Sequence, residues 1–289
     1  MKKIIIGTRG SSLALAQTKE IVTQLKKLCP QIQTGIKIIK TKGDKITDVP
    51  LSKVGGKGLF IKELEEALLR GAIDLAVHSM KDVPVDLPSS LMIGAITKRL
   101  DPRDVLISND NKRLEELPAG TVIGTSSPRR KAQLIYYRQD LEIVDLRGNL
   151  DTRIKKLNSV DAIVVAAAGC IRTNLHSKIT QFLSTDIILP AAGQGSLGIE
   201  IRKNDTEIKE IVSNLNDEES SLAVIAERAF LKELGGGCQI PIGILGCIEG
   251  DILKLKSVIV SPDNQKINRA QIEGKKEDAV KLGKKLAKL

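Results

Sequence analysis

Ile6-Gly7-Thr8-Arg9-Gly10-Ser11 and, far downstream, Ile123-Gly124-Thr125-Ser126-Ser127-Pro128 are built to one plan. Each ends a short apolar run, passes through Gly-Thr and a polar turn, and enters a segment that carries Ala-Gln early: Ala16-Gln17 in the first, Ala132-Gln133 in the second. An apolar run that breaks at glycine and resumes with helical spacing is a strand–turn–helix unit. Outward from the first copy, residues 3–6 predict a strand. Ser11 or Ser12 caps a helix with apolar positions at Ala14, Ile21, Val22, Leu25 and Leu28, and Pro30 stops it. Residues 36–41 predict a second strand, the Gly/Lys-rich stretch 42–58 a long loop, 60–70 a helix ended by Gly71, and 73–77 a buried strand. Outward from the second copy, the prediction is strand at 121–124, helix at 127–138, strand at 142–145, helix at 149–158 and strand at 161–165. This alternation is that of an α/β protein with mainly parallel sheets. Its restart predicts two similarly built α/β domains facing each other.

After about residue 217 the pattern changes. Residues 218–234 form one long helical segment, Gly235-Gly236-Gly237 breaks it, and short β runs at 243–248, 252–260 and 266–272 precede a Lys-rich terminal helix. That is an α+β third domain.

Hydrophobic residues are 42% of the chain, enough for packed interiors, yet aromatics are 2% and Trp is absent, so the cores must be aliphatic and base-stacking platforms are scarce. No apolar run approaches the roughly 20 residues of a membrane helix. Charge returns at Arg9 before a signal-peptide core can form, so a cytoplasmic protein is expected. The formal charge is +10, and residues 251–289 alone hold ten Lys/Arg against five Asp/Glu, so position matters more than the total. The four cysteines, Cys29, Cys170, Cys238 and Cys247, form no CxxC, and His78 and His176 are the only histidines. That speaks against a zinc site and a disulfide framework, and no metal is expected.

Both strand–turn–helix starts suit anions, because unpaired N–H groups and the positive dipole end lie at a helix N-terminus. Ser127 can cap, Pro128 fits the first helical position, and Arg129-Arg130 add fixed charge; Arg9 and Ser11 repeat the arrangement. Further basic residues fall at turns: Lys53 and Lys57 around Gly55-Gly56, Lys81 after the buried strand, Arg147 before Gly148-Asn149, Arg153 a turn into the next helix, and Arg172. Strand ends are where α/β sheets bind ligands, and arginine there grips carboxylate or phosphate. In His78-Ser79-Met80-Lys81-Asp82-Val83-Pro84 a Ser–His–Asp triad is tempting, but neighbours on an extended chain point to opposite faces. Asp82 suits a general acid/base or a stabiliser of positive charge. Gly193-Gln194-Gly195-Ser196-Leu197-Gly198 matches GxGxxG, yet it precedes a strand-like Ile199-Glu200-Ile201 rather than a helix, so no dinucleotide site is expected. Cys238 follows three glycines and precedes Pro241, which carries a thiol into a loop where backbone can approach a ligand.

These segments together resemble the hydroxymethylbilane synthase (porphobilinogen deaminase) family. The likeness rests on Gly7-Thr8-Arg9 with Ser11-Ser12-Leu13-Ala14, on Lys53-Val54-Gly55-Gly56-Lys57-Gly58-Leu59-Phe60, and on the His78–Pro84 segment. It continues through Gly124–Arg130, Leu146-Arg147-Gly148-Asn149 with Thr152-Arg153, Gly193-Gln194-Gly195, and Gly236-Gly237-Cys238-Gln239-Ile240-Pro241. The resemblance implies an enzyme that joins four porphobilinogen units head to tail with loss of ammonia and releases a linear hydroxymethylbilane. It implies a dipyrromethane cofactor on Cys238 through a thioether and a catalytic carboxylate at Asp82. Lys81, Asp82, Thr125, Ser127, Arg129 and Arg130 would bind the cofactor; Arg9, Ser11, Lys53, Lys57, Arg147, Arg153 and Arg172 would bind substrate carboxylates. The implied fold has two α/β domains like those of periplasmic binding proteins, spanning 1–97 with 194–215 and 98–193, plus a smaller α+β cofactor-carrying domain at 216–289. A monomer that binds neither nucleic acid nor membrane is the implied state. Two positions depart from the family pattern: Ala192 replaces the usual Pro before Gly-Gln-Gly, and Cys170 replaces a Leu near Arg172, where it could compete as a thiol.

A non-catalytic two-lobed anion-binding protein would keep the Gly-Thr turns and arginines but leaves Asp82 and Cys238 without a purpose. A nucleic-acid binder would use the charge but lacks aromatics and a continuous basic stripe.

Overall fold

The computed structural model describes residues 3–45, 61–235, 241–261 and 266–289. Lys53, Lys57 and Cys238, with most of the expected 42–58 loop, lie outside the described residues. The chain divides into two compact units, Met1–Arg99 with Ser196–Ser221, and Leu100–Gly195 with Leu222–Leu289.

The first unit begins β1 (Lys3–Thr8), α1 (Ser12–Leu28), β2 (Gln33–Ile38), a short α2 (Lys42–Lys45), α3 (Lys62–Leu69), β3 (Leu75–Ser79) and β4 (Leu91–Ile96). The second holds β5 (Asp104–Ser108), β6 (Val122–Gly124), α4 (Pro128–Tyr137), β7 (Glu142–Val144), α5 (Leu150–Lys155), β8 (Ala162–Ala166), α6 (Ala167–Arg172) and β9 (Gln181–Phe182). The chain then returns to the first unit with β10 (Leu197–Arg202) and α7 (Thr206–Ser213). Last come α8 (Glu218–Glu233), β11 (Ile242–Glu249), β12 (Ile252–Val260), β13 (Ile267–Lys275) and α9 (Ala279–Leu286).

The two five-stranded sheets share one plan. Their orders are β2-β1-β3-β10-β4 and β7-β6-β8-β5-β9. The second strand pairs parallel with both neighbours, and the fourth runs antiparallel to the strands on either side of it. The Gly-Thr turns end β1 and β6, which hold the same place in their sheets, so the repeat seen in sequence is a repeat of architecture. Both glycines sit in close packing: a Cβ on Gly7 would lie 2.3 Å from Ile73 Cδ1, a side-chain end that would have to move, and one on Gly124 would lie 2.9 Å from Leu146 Cβ, which has little room to give. The third sheet is an antiparallel meander, β11-β12-β13. It packs on α8 and α9 through Ala223, Ala226, Phe230, Leu253, Leu255 and Leu282. The expected fold class, two α/β halves with a smaller α+β end, is the observed one.

The cores are aliphatic. In the first unit Ile4, Ile6, Leu75, Val77, Ile199 and Ile201 stack from three strands against Ile21 and Leu25 of α1, each worth about 1.5–3 kcal/mol of burial. The structure adds strands β4 and β5, which the periodicity did not announce. It also makes 167–172 a helix, so Arg172 sits a helical turn and a half past the end of β8.

Candidate functional site

In the first unit, β1 and β3 are adjacent and parallel, with Ile6 opposite Leu75 and Gly7 opposite Ala76. The turns at their C-terminal ends therefore lie on one edge of the sheet, where open α/β sheets place ligands. Arg9 and Ser11 come from the first turn. Ser11 caps α1, its Oγ accepting the Ala14 N–H at 3.3 Å, and Thr8 Oγ1 donates to Ala14 O at 3.1 Å. Lys81 and Asp82 come from the second, a 3₁₀ turn at Met80–Asp82. Met80 is 2% exposed and its N–H donates to Ser196 O at 3.0 Å, which pins the turn and turns its polar neighbours outward. Arg9 and Lys81 are half-buried; Asp82 is exposed and makes no hydrogen bond or ion pair among the described residues.

His78 and Ser79 leave β3 on opposite faces and form no triad with Asp82. His78 Nε2 lies 2.9 Å from Glu200 Oε2, both side chains buried. Ser79 Oγ accepts from Gln17 Nε2 at 2.7 Å, which ties β3 to α1. Nearby Glu65 on α3 is raised from its ordinary value, by burial first and then by the charge of Glu200. Gly193 and Gly195 have φ of 72° and 97° and feed β10, a strand, so the GxGxxG match opens no helix.

The second unit repeats the design and adds charge. Ser127 caps α4, its Oγ accepting the Arg130 N–H at 3.4 Å, and Pro128 is the first helical residue. Thr125 is 1% exposed and its Oγ1 accepts the Ser127 N–H at 3.3 Å. Ser126 Oγ donates to Leu146 O at 2.8 Å, joining this turn to the one that carries Arg147. Asn149 caps α5 through the Thr152 N–H at 2.9 Å, and Arg153 follows within α5. Arg172, at the end of α6, donates from Nη1 to Gly195 O at 3.2 Å. Arg147, Arg153 and Arg172 are half-buried. Thr125, Ser127, Arg129, Arg130 and Arg147 are thus gathered on the C-terminal edge of β6 and β7.

Arg129 and Arg130 are the exception to a solvated arginine pair. They are 6% and 4% exposed, and both bind Asp104: Arg129 Nη1 to Oδ2 at 2.7 Å, Arg130 Nη2 to Oδ1 at 2.8 Å. Burial alone would raise the Asp104 carboxyl, but the two guanidiniums overcome it and hold the group far below the usual range. Burial pulls Arg129 below its ordinary value, with Asp104 opposing. One carboxylate faces two guanidiniums at the positive end of a helix, so the cluster keeps surplus positive charge. That surplus is what a multiply anionic ligand needs.

No motif in the sequence points to Asp104. Its one signal is an acid placed where an apolar strand, Val105-Leu106-Ile107, begins. None points to Glu227 either. It is 0% exposed, and its oxygens accept the Gly193 and Gly246 N–H groups at 2.6 and 2.7 Å. Its signal is a charge on the apolar face of α8, between Ala223 and Phe230.

Two α/β units whose strand ends gather hydroxyls and arginines define a protein that handles a multiply anionic ligand. The chain belongs to the porphobilinogen deaminase family. Residues 4–210 match the model of the family's dipyromethane cofactor binding domain, and residues 221–289 match that of its C-terminal domain. The porphobilinogen deaminase of Pelotomaculum thermopropionicum is 51% identical over 99% of this chain and 92% of its own. That of Syntrophus aciditrophicus is 51% identical over 98% and 93%, and that of Geobacillus kaustophilus 49% over 97% and 92%. Among solved structures, a nutrient binding protein from Burkholderia cenocepacia bound to methionine aligns at a TM-score of 0.45 and 15% identity, covering 81% of this chain and 98% of that one. Among the described residues no helix is long and apolar enough to cross a membrane.

Proposed function

We infer that this chain is a hydroxymethylbilane synthase, a transferase that condenses four porphobilinogen molecules head to tail, releases ammonia at each step, and hydrolyses the product free as linear hydroxymethylbilane. The observation that carries the reading, beyond family membership, is the buried two-arginine, one-carboxylate cluster at the start of α4, an anion site left one negative charge short. Each pyrrole of the substrate bears an acetate and a propionate, and the growing chain is a polyanion.

Cys238, in the 216–289 domain, holds the dipyrromethane through a thioether, which supplies the pyrrole carbon that primes elongation. Lys81, Asp82, Thr125, Ser127, Arg129 and Arg130 bind that cofactor. The carboxylate groups of incoming porphobilinogen are met by Arg9, Ser11, Lys53, Lys57, Arg147, Arg153 and Arg172, arginine doing so with paired N–H donors. Asp82 is exposed at its turn and uncommitted among the described residues, so its carboxylate can face the cation that develops as porphobilinogen loses ammonia, and can accept from pyrrole N–H groups. The backbone held by Met80 and Ser196 keeps it in place. The protein works as a cytoplasmic monomer.

Intact-mass spectrometry on protein from cells that make porphobilinogen tests this. The parent is expected to weigh one dipyrrole more than its sequence, Cys238→Ser to weigh the bare chain, and Asp82→Ala to fold while losing turnover. A bare parent mass, or an adduct that persists on Cys238→Ser, overturns the anchor; porphobilinogen consumption by Asp82→Ala at the parent's rate removes Asp82 from its role.

A further inference from the structure

Two adjacent arginines in the first turn of a helix are an unfavourable arrangement. The helix end is itself positive, and guanidiniums withdrawn from water need a partner charge. Here both are more than nine-tenths buried, and among the described residues Asp104 is the one carboxylate that bonds to either. Asp104 is 0% exposed and opens β5, where its backbone is fixed opposite Ala166 of β8 and its carbonyl accepts the Leu183 N–H.

Its carboxylate is saturated. Oδ2 accepts from Arg129 Nη1 at 2.7 Å; Oδ1 accepts from Arg130 Nε at 3.0 Å, Arg130 Nη2 at 2.8 Å and Gln194 Nε2 at 3.0 Å. Gln194 donates again to Pro102 O at 2.7 Å, so the Gly193–Gly195 turn is drawn onto the same carboxylate. The two arginines are held unequally. Arg130 engages all three nitrogens, the third on Val164 O at 3.1 Å, and keeps only the second hydrogens of Nη1 and Nη2 for a ligand. Arg129 spends only Nη1, shared between Asp104 and Leu189 O at 2.7 Å, which leaves its Nε–Nη2 edge without a hydrogen bond among the described residues. That edge is the bidentate face that grips a carboxylate.

We propose that Asp104 is a positioning residue of the anion site: it locks Arg130 as a strut, sets the Nε–Nη2 edge of Arg129 toward a ligand carboxylate, and fastens the Gln194 turn to both. The ligand class is an organic polycarboxylate, and the proposal rests on the function inferred above. Asp104 touches no ligand itself. It acts through the geometry of two side chains and through the charge balance that allows them to be buried.

The experiment compares the parent with Asp104→Asn and Leu106→Ala, all as full chains made in cells that supply porphobilinogen. Leu106 lies on the same strand, fully buried, and its truncation removes packing but none of the cluster's hydrogen bonds. Melting temperature, the fraction of molecules carrying the covalent dipyrrole, and KM for porphobilinogen are read for each. The expected result is a folded Asp104→Asn whose adduct fraction falls, or whose KM rises, roughly tenfold, the scale of one lost charge-assisted hydrogen bond. Leu106→Ala melts lower than the parent yet keeps its adduct and its KM. Equal adduct fraction and KM in the two variants overturn the proposal, because Asp104 would then be a structural residue only. If Asp104→Asn does not fold, Asp104→Glu, which keeps the charge but displaces it, takes its place: a folded chain with depleted adduct supports the proposal, and full adduct or failure to fold overturns it. A parent without adduct is a different outcome and strikes the function instead.

Discussion

At the scale of single residues, burial decides which side chains can react. Cys170 is fully buried in α6, and burial pushes its thiol up to about 11, with Arg130 pulling the other way. At pH 8 about one molecule in a thousand carries the thiolate, the form that attacks electrophiles. Cys247 is exposed on β11. Iodoacetamide at pH 8 is therefore expected to alkylate Cys247 in the native protein and to spare Cys170 until denaturant is added. Peptide mapping that finds Cys170 alkylated as fast as Cys247 contradicts this. In sequence Cys170 stands out as a rival thiol because it replaces the family's usual Leu near Arg172, but a departure from a family pattern says nothing of depth. Arg129 and Arg130 were legible for the opposite reason: Ser127 and Pro128 mark the helix start locally, so the arginines' place in its first turn follows. Their partner was not legible, since Asp104 lies on another strand and no local pattern links the two.

Elements were legible where their signals are local. The Gly-Thr turns, the serine caps and Ile252–Val260, with its alternating burial, are written in consecutive residues. Strand β5 was not, because it is five residues long and opens on a buried acid whose charge is answered from α4. The Arg147–Asn149 turn shows how one residue can set an element. Gly148 has φ of 122°, and a Cβ there would lie 2.6 Å from Thr152 Cβ. Gly148→Ala must distort the turn or push Thr152 away from the Asn149 cap. A loss of about 1–3 kcal/mol is expected, the range for a non-glycine residue held in a rarely populated region. KM for porphobilinogen should rise as well, because Arg147 and Arg153 flank the distorted turn. Urea unfolding and steady-state kinetics measure both, and an unchanged midpoint with an unchanged KM refutes the account.

At the scale of the whole molecule, the restart of the α/β pattern was legible, but the exchange that completes each sheet is not written in that pattern; only the family resemblance joined residues 194–215 to 1–97. The antiparallel fourth strand of the first sheet comes from residues after Gly195, and that of the second from residues before Val122. No local periodicity shows this. The change of style near residue 217 was legible too, yet the three-stranded sheet is not an appendage. Within the second unit, Ile244 N–H donates to Pro190 O at 2.8 Å, and Val258 and Val260 pack with Ala132 and Leu189. Glu227 binds the pieces most directly, because its two oxygens take one N–H from the Gly193 turn and one from β11. Both donors are buried, and stranding a buried donor costs about 1–3 kcal/mol. Glu227→Gln keeps one acceptor and aims an amide donor at the other N–H, so it should lose one bond and add a clash of donors. Glu227→Ala strands both donors and opens a cavity. The melting midpoint should fall in the order parent, Gln, Ala, by roughly 2–4 °C for each kcal/mol in a chain of this size. If Glu227 instead fastened only α8 to β11, the Gly193 turn would be indifferent to it, and hydrogen exchange at the Gly193 amide would match the parent's in both variants. Faster exchange at Gly193 and Gly246 together is the result that makes one carboxylate the link between the second sheet's exit and the sheet that follows Cys238.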